Sequence, residues 1–375
     1  MSTQLPPTRQ RYLALDVFRG LTLALMIIVN TPGSDETSYA QLQHAVWHGF
    51  TLTDLVFPSF LFAVGAALCL SMQKFSVMTE PAFLRKVLQR GLLIFCAGYL
   101  LYWFPFFTPT GELAPIAHTR IPGVLQRIAV CYVAAALILR YAKEKGALVF
   151  AVLALLGYWL LMATLGDYTL TGNAERMLDR ALLGDAHLYH GEGIAFDPEG
   201  ILSTLPSIVN VLAGYFAARV LVGDADRARS VRKFIVAAGI GVALALLWND
   251  VFPINKKLWT SSFVLCTVGL DLLVLAALVY VTEIRSRLES GQSWAYFFEV
   301  FGKNTLIIYL FADVVVIILA RIHVGDKNLY TWIYEHAFHN WAGTYNASLL
   351  FALCYMLMCW SVAYAMDRKK LYIKF

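Results

Sequence analysis

HAVWHGFTLTDLVFPSFLFAVG, residues 44–65, joins two histidines and a carboxylate to an apolar run interrupted by Pro58. His44, His48 and Asp54 stand at the lip of what reads as a membrane span. Titratable groups in that position are costly to keep and mark a functional site by default. Working outward, the same apolar pattern returns along the whole chain. Of 375 residues, 59% are hydrophobic and 15% charged, and the mean hydropathy is +0.62. That composition excludes a soluble globule. The apolar runs last about 20 residues and lack strand-like alternation, so they predict helices and not barrel strands. Spans are expected at residues 13–29, 52–72, 87–104, 122–140, 147–165, 201–219, 232–248, 259–280, 304–321 and 347–366. The expected fold is all-α, a polytopic transmembrane bundle of about ten helices. It reads as one domain over residues 1–375, with a single sizeable excursion at about 166–200.

Charge orients the bundle, because cytoplasmic connections carry excess Lys and Arg. One set of alternate connections holds Arg9, Arg11, Lys74, Arg85, Lys86, Arg140, Lys143, Arg227, Arg229 and the tail from Arg368 to Lys374. The other set is nearly bare of positive charge, and 30–51 has none. Both termini are therefore expected in the cytoplasm, with His44 outside. The net charge of +5 follows from topology and lipid contact, and no basic, aromatic-interleaved stretch suggests nucleic acid. The cysteines all fall in apolar runs, as small core residues and not as a disulfide framework. The first run carries Asp16 and Arg19 without a cleavage site, which predicts a retained helix. A short segment around Ser293 to Phe301 is expected at the interface.

Several polar groups lie inside or at the ends of the spans. Asp16, Arg19 and Asn30 return to within roughly 60° of one another around the first helix, a polar stripe or a simple ion pair. RIPGVLQR (120–127) puts Pro122 in a helical first turn and Arg120 and Arg127 on one face, with Gln126 beside them. A guanidinium as deep as Arg127 requires a carboxylate or an anionic ligand. DPEG (197–200) reads as an N-cap at Asp197, leaving Glu199 free for a cation, a sugar hydroxyl or an arginine. Gly200, Ser203, Ser207, Asn210 and Gly214 repeat at helical spacing, which suits either close helix packing or a lined path. Lys303 and Asn304 sit at a helix start that can hold phosphate. His44 and His48 have an i, i+4 spacing compatible with metal, but a third ligand is not apparent and no metal is expected. The other readings are a gating histidine or a base oriented by Asp54.

LDVFRGLTL (15–23), Asn30, the block from His44 to Phe60, RIPGVLQRIAV (120–130), FDPEGILSTLPSIV (196–209), NKKLWTSSFVL (255–265) and GKNTLIIYL (302–310) together resemble the heparan-α-glucosaminide N-acetyltransferase family and its bacterial NagX-like members. The resemblance implies a membrane enzyme that moves acetyl from cytosolic acetyl-CoA to a glucosamine amine on the far side. It also implies that His44 is the catalytic histidine, with Asp54 and Asn30 near it. His48 stands where the animal enzymes carry asparagine, so either imidazole is open as the base.

On this reading His44 deprotonates the amine, or carries the acetyl group itself, with Asp54 fixing the ring. Asn30, His48, Arg120, Gln126, Arg127 and Glu199 surround the acceptor, and Arg11, Arg19, Lys303 and Asn304 hold the CoA phosphates. The expected partners are acetyl-CoA, an amino sugar, membrane lipid and a second copy of the chain, in a bacterial inner membrane. The competing readings are a sugar or proton-coupled secondary transporter and an envelope-glycan O-acyltransferase.

Overall fold

The structure is a computed structural model and describes residues 12–34, 36–108, 110–285, 288 and 294–373. Arg11 lies outside the described residues. The helices are α1 (Leu13–Asn30), α2 (Leu52–Phe75), α3 (Glu80–Trp103), α4 (Val124–Tyr141), α5 (Lys143–Leu165), α6 (Ala174–Leu183) and α7 (Thr204–Gly223). They continue with α8 (Arg227–Asn249), α9 (Ser261–Val279), α10 (Ala295–Lys303), α11 (Thr305–Arg321), α12 (Leu329–Tyr334), α13 (Asn340–Ala342) and α14 (Thr344–Arg368). Among the described residues the sheet content is a two-stranded ladder, β1 (His323–Val324) with β2 (Lys327–Asn328).

Every expected span coincides with a helix. Eight are individually long and apolar enough to cross a bilayer. Helices α10 and α11, bent by 82°, make a ninth together. Helix α3, 24 residues long but charged over its first half, coincides with the remaining expected span and is not among the helices apolar enough to be counted with the others. The bend turns α10 out of line with α11 and sets it against α1. Long leucine and valine side chains on α5 and α8 face outward, the surface a lipid environment covers without cost.

Small residues set the closest helix contacts, because in lipid the attraction between helices comes from backbone approach. A Cβ at Gly65 of α2 would fall 1.8 Å from the Val211 carbonyl oxygen of α7. One at Gly214 of α7 would fall 1.9 Å from that of Phe62. Gly20 meets Phe298 of α10 in the same way. The Gly214 end of the small-residue stripe on α7 is thus a packing seam. Gly65→Leu is expected to abolish monodisperse protein in detergent, since the obstacle is backbone; normal size-exclusion behaviour of that variant would contradict the seam.

Two helix starts differ from expectation. Helix α4 begins at Val124 with Gly123 as its N-cap, so Pro122 precedes the helix and Arg120 lies in the extended segment before it, not on a shared face with Arg127. Gly123 is needed because a Cβ there would meet the Tyr102 ring at 2.4 Å. Helix α7 begins at Thr204 after Ser203, and Asp197 is engaged elsewhere. The excursion at 166–203 contains α6, whose N-cap Asn173 accepts from the Arg176 amide.

Candidate functional site

The entry to α2 builds the histidine site. Thr51 is the N-cap and Asp54 the third residue of the helix, and the Asp54 carboxylate reaches back to it, as in a capping box. Oδ2 of Asp54 accepts from the Thr51 amide at 3.0 Å, the Thr51 hydroxyl at 3.0 Å and the Ala45 amide at 3.1 Å. Oδ1 lies 2.7 Å from His44 Nδ1. Asp54 is 1% exposed and the His44 side chain 44%. A buried carboxylate holding Nδ1–H leaves the Nε2 lone pair of His44 free to take a proton. The helix cap and the histidine orienter are one side chain.

The loop itself is stitched down along its length. Trp47 donates to the Tyr168 carbonyl at 2.8 Å and its ring packs 5.7 Å from that of Phe196. Residues 254–257 run beside it. The Gly49 amide donates to the Ile254 carbonyl at 2.9 Å, Asn255 Nδ2 faces His48 Nδ1 at 3.3 Å, and Lys257 donates to the Val46 carbonyl at 3.0 Å. An amide nitrogen can only donate, so His48 spends its Nδ1 lone pair on Asn255, whereas His44 has the carboxylate partner. Crowding by protein atoms and the charge of Lys256 hold His44 below the ordinary imidazole value, against the upward pull of Asp54. Burial lowers His48 as well.

Beside this loop lies an ion cluster. Arg120 donates to both oxygens of Asp197, at 2.8 and 2.6 Å, and to Glu199 at 2.5 Å. Its guanidinium sits between the rings of Tyr102 and Tyr189, 5.0 and 4.8 Å from their centroids. Asp197 also accepts from the Tyr189 and Glu199 amides. Lys256 stands 3.9 Å from the other oxygen of Glu199. Burial would raise the Glu199 carboxyl, but Lys256, Arg120 and Arg127 outweigh it and hold it below the usual range.

Arg127 is buried on α4, donates to Ser203 and to the Gly200 carbonyl at 3.0 Å, and lies over the Trp259 ring. The acid that comes within ion-pair distance of it is Glu175 of α6, at 3.9 Å and beyond hydrogen-bond reach. Asp179, one turn on, accepts from the Ile201 amide at 2.9 Å. Burial holds Glu175 well above the usual range and pushes Asp179 up to about 6. Both acids escaped sequence reading because α6 lay in what read as a loop; the Asn173 cap and the i, i+4 spacing of Glu175 and Asp179 were the available signals. Gln126 is buried against Gly98 of α3, and Asn30 is exposed at the end of α1.

A second feature enters from the opposite end of the helices. A cavity of about 720 Å³ is lined by Arg19, Lys74, Lys86, Arg90 and Lys303, together with Asn304 and the start of α11, and among the described residues by no carboxylate. Along α2 it runs from Phe75 to Phe60, fifteen residues or about 22 Å. Its far end lies about 12 Å along α2 from Leu52, the first residue of that helix. Lys303 is paired with Asp367 at 2.7 Å, and the Asn304 side chain is taken up by the chain's own tail at Leu371 and Ile373. Lys74, Lys86 and Arg90 have no carboxylate partner among the described residues. Sequence reading had counted Lys74 and Lys86 only as topological charge.

Fold and site together define a polytopic helical membrane protein with a histidine–carboxylate pair at one end and a deep basic cavity opening from the other. The chain belongs to the family described as heparan-alpha-glucosaminide N-acetyltransferase, catalytic, which it matches over residues 11–249. It is 32% identical over 366 residues to heparan-alpha-glucosaminide N-acetyltransferase of Homo sapiens, covering 82% of this chain and 53% of that protein. With the protein of the same name from Mus musculus it is 30% identical over 369 residues, covering 81% of this chain and 54% of that one. The chain spans about half the length of these curated relatives.

Proposed function

We propose that the protein is a transmembrane acetyltransferase that takes acetyl from acetyl-CoA in the basic cavity and delivers it to the amine of glucosamine or a glucosaminide beside His44. The observation that carries this reading is the cavity, which gathers Lys74, Lys86 and Arg90, without carboxylate partners among the described residues, and extends most of the way along α2 toward the histidine site. Neither CoA phosphates nor an amino sugar crosses lipid readily, so a reaction joining them needs such a path. The count of Lys and Arg supports a cytoplasmic cavity mouth and an external His44. The names of the relatives support the acetyl donor and the amino-sugar acceptor.

In this reaction Nε2 of His44 takes a proton from the sugar ammonium, and the free amine attacks the thioester carbonyl. The adduct collapses with loss of CoA thiolate, which takes the proton held by His44, and the second nitrogen proton passes to the freed imidazole and on to solvent, so that one proton is released per amide formed. Asp54 holds the ring and stabilises the imidazolium. Glu199, already bound by Arg120, presents a buried negative charge toward the incoming ammonium. Lys86 and Arg90 offer the CoA phosphates charge-assisted hydrogen bonds.

Purified protein given acetyl-CoA and a panel of amino sugars should yield N-acetylated product by mass; no product from any amine, with sugar uptake into empty liposomes, would favour a transporter. In sealed vesicles, product should form only with donor and acceptor on opposite faces. Lys86→Glu with Arg90→Ala should raise the acetyl-CoA KM by about 10- to 100-fold, the worth of one or two charged hydrogen bonds, with the acceptor KM unchanged. An unchanged donor KM would remove the cavity from the reaction.

A further inference from the structure

We propose that residues 371–373, which follow α14, are a strap at the edge of the basic cavity that covers a bound acyl donor, and that Asn304 is the positioning residue that fastens it. This inference rests on the reading of that cavity as the acetyl-CoA site.

The end of α14 aims the strap. The Leu371 amide donates to the Met366 carbonyl and the Lys370 amide to that of Asp367, each at 2.9 Å, while Lys370 takes the left-handed conformation at φ 54°. These are the paired bonds of a Schellman helix end, and they turn the chain toward the start of α11. There Asn304 meets the strap with both ends of its amide. Its Nδ2 donates to the Leu371 carbonyl at 3.0 Å, and its Oδ1 accepts from the Ile373 amide at 3.1 Å. Asparagine is among the best helix N-caps, and Asn304 stands at that position of α11, yet it makes no cap bond there. Its side chain goes to the strap instead. Between the two contacts, Tyr372 donates to Asp367 at 2.7 Å, and the same carboxylate takes Lys303 and Tyr296 of α10, each also at 2.7 Å. Groups from α10, α11 and α14 thus converge on three residues of chain.

Ile373 connects this fastening to the cavity. It lines the cavity beside Lys303, Asn304 and Thr305 and is 45% exposed. An apolar side chain left half in water at that place gains when a bound molecule covers it. The strap brings no acid to the cations: Lys74, Lys86 and Arg90 keep no carboxylate partner among the described residues. A segment that blocked the cavity by imitating an anionic ligand would carry acidic groups to them. This one offers backbone and an isoleucine at the edge and leaves the cations to the ligand, so it covers the donor and does not replace it.

The test is CoA binding to the intact protein in detergent, by calorimetry. Ile373→Pro removes the N–H that Asn304 accepts, and Asn304→Ala removes both contacts. In each the Kd for CoA should rise about fivefold, the effect of losing contact with the exposed half of one isoleucine, and the acceptor KM should not change. Ile373→Val, which keeps the amide and the branched shape, should stay within about twofold of wild type. Hydrogen exchange at the amides of 371–373 should be slowed by CoA in wild type and not in Asn304→Ala. An unchanged Kd in both Ile373→Pro and Asn304→Ala, tighter CoA binding in either, or strap exchange indifferent to CoA overturns the inference. Ile373 lies outside any helix, so the proline result does not depend on how Asn304→Ala affects the start of α11. Wild-type protein that binds no CoA overturns the cavity reading as well, and that outcome is visible before any variant is compared.

Discussion

His44→Ala is expected to lower acetyl transfer by about 10²- to 10⁴-fold, the range of a lost general base, without weakening acetyl-CoA binding. The separation follows from the geometry. His44 stands beyond the start of α2, while the residues lining the cavity begin at Phe60 and continue to Phe75 on that helix. A purified variant with normal affinity for acetyl-CoA and no transfer fits this arrangement; wild-type turnover would remove His44 from the chemistry. Asp54→Asn should fall nearly as far. An asparagine carbonyl can still accept from the Thr51 amide and preserve the helix start, but its NH₂ then faces His44 Nδ1. The ring must place its proton on Nε2, the atom required as base. Asp54→Ala adds the lost cap, about 1 kcal/mol of stability, and comparing the two variants separates tautomer control from folding.

The largest effect on stability is expected from Arg120→Ala. Asp197 is 0% exposed and Glu199 nearly as buried, and both bond to one guanidinium held between two tyrosine rings, with Lys256 a longer contact to Glu199. Removing one partner of a buried ion pair typically costs about 3–5 kcal/mol, because the remaining charge is stranded. Thermal inactivation in detergent should therefore move to markedly lower temperature. Arg120→Lys should recover little, since an ammonium cannot reproduce the two-pronged contact with Asp197. Asp197→Asn in the Arg120→Ala background should recover part of the loss. Equal stability of Arg120→Ala and wild type would mean that the cluster is solvated and that Glu199 is not preset for an ammonium.

The spans were legible because a bilayer demands about 20 apolar residues per helix and tolerates few departures. His44, His48 and Asp54 were legible as a polar cluster at a helix entry, the family resemblance put His44 ahead of His48, and the capping box that holds Asp54 in place came only with the structure. Arg127 announced that a partner must exist, since a guanidinium at its depth cannot stand alone, but the choice of Glu175 was hidden. That choice depends on how α6 folds back over the start of α7, which local propensity does not decide. Pro122 misled for a related reason. Proline suits a helical first turn, yet the close approach of Tyr102 to Gly123 delays the helix to Val124 and frees Arg120 to reach Asp197. Lys303 and Asn304 were read as phosphate ligands from a helix start and a lysine. The end of α14, which pairs with Lys303 through Asp367, and the tail beyond it, which engages Asn304, could not be placed against them from sequence.

By itself, the sequence determined a helical membrane bundle and a cluster of His44, His48 and Asp54 at the entry to one of its helices, because both can be read along one stretch of chain from hydrophobic length and local polarity. Only the tertiary structure decided which distant charges meet: Lys256 beside Glu199 and the histidine loop, Arg120 on Asp197, Glu175 under Arg127, and Lys86 and Arg90 around one cavity. These pairings span tens to hundreds of residues, and their energies depend on burial and distance, quantities that exist only once the helices have packed.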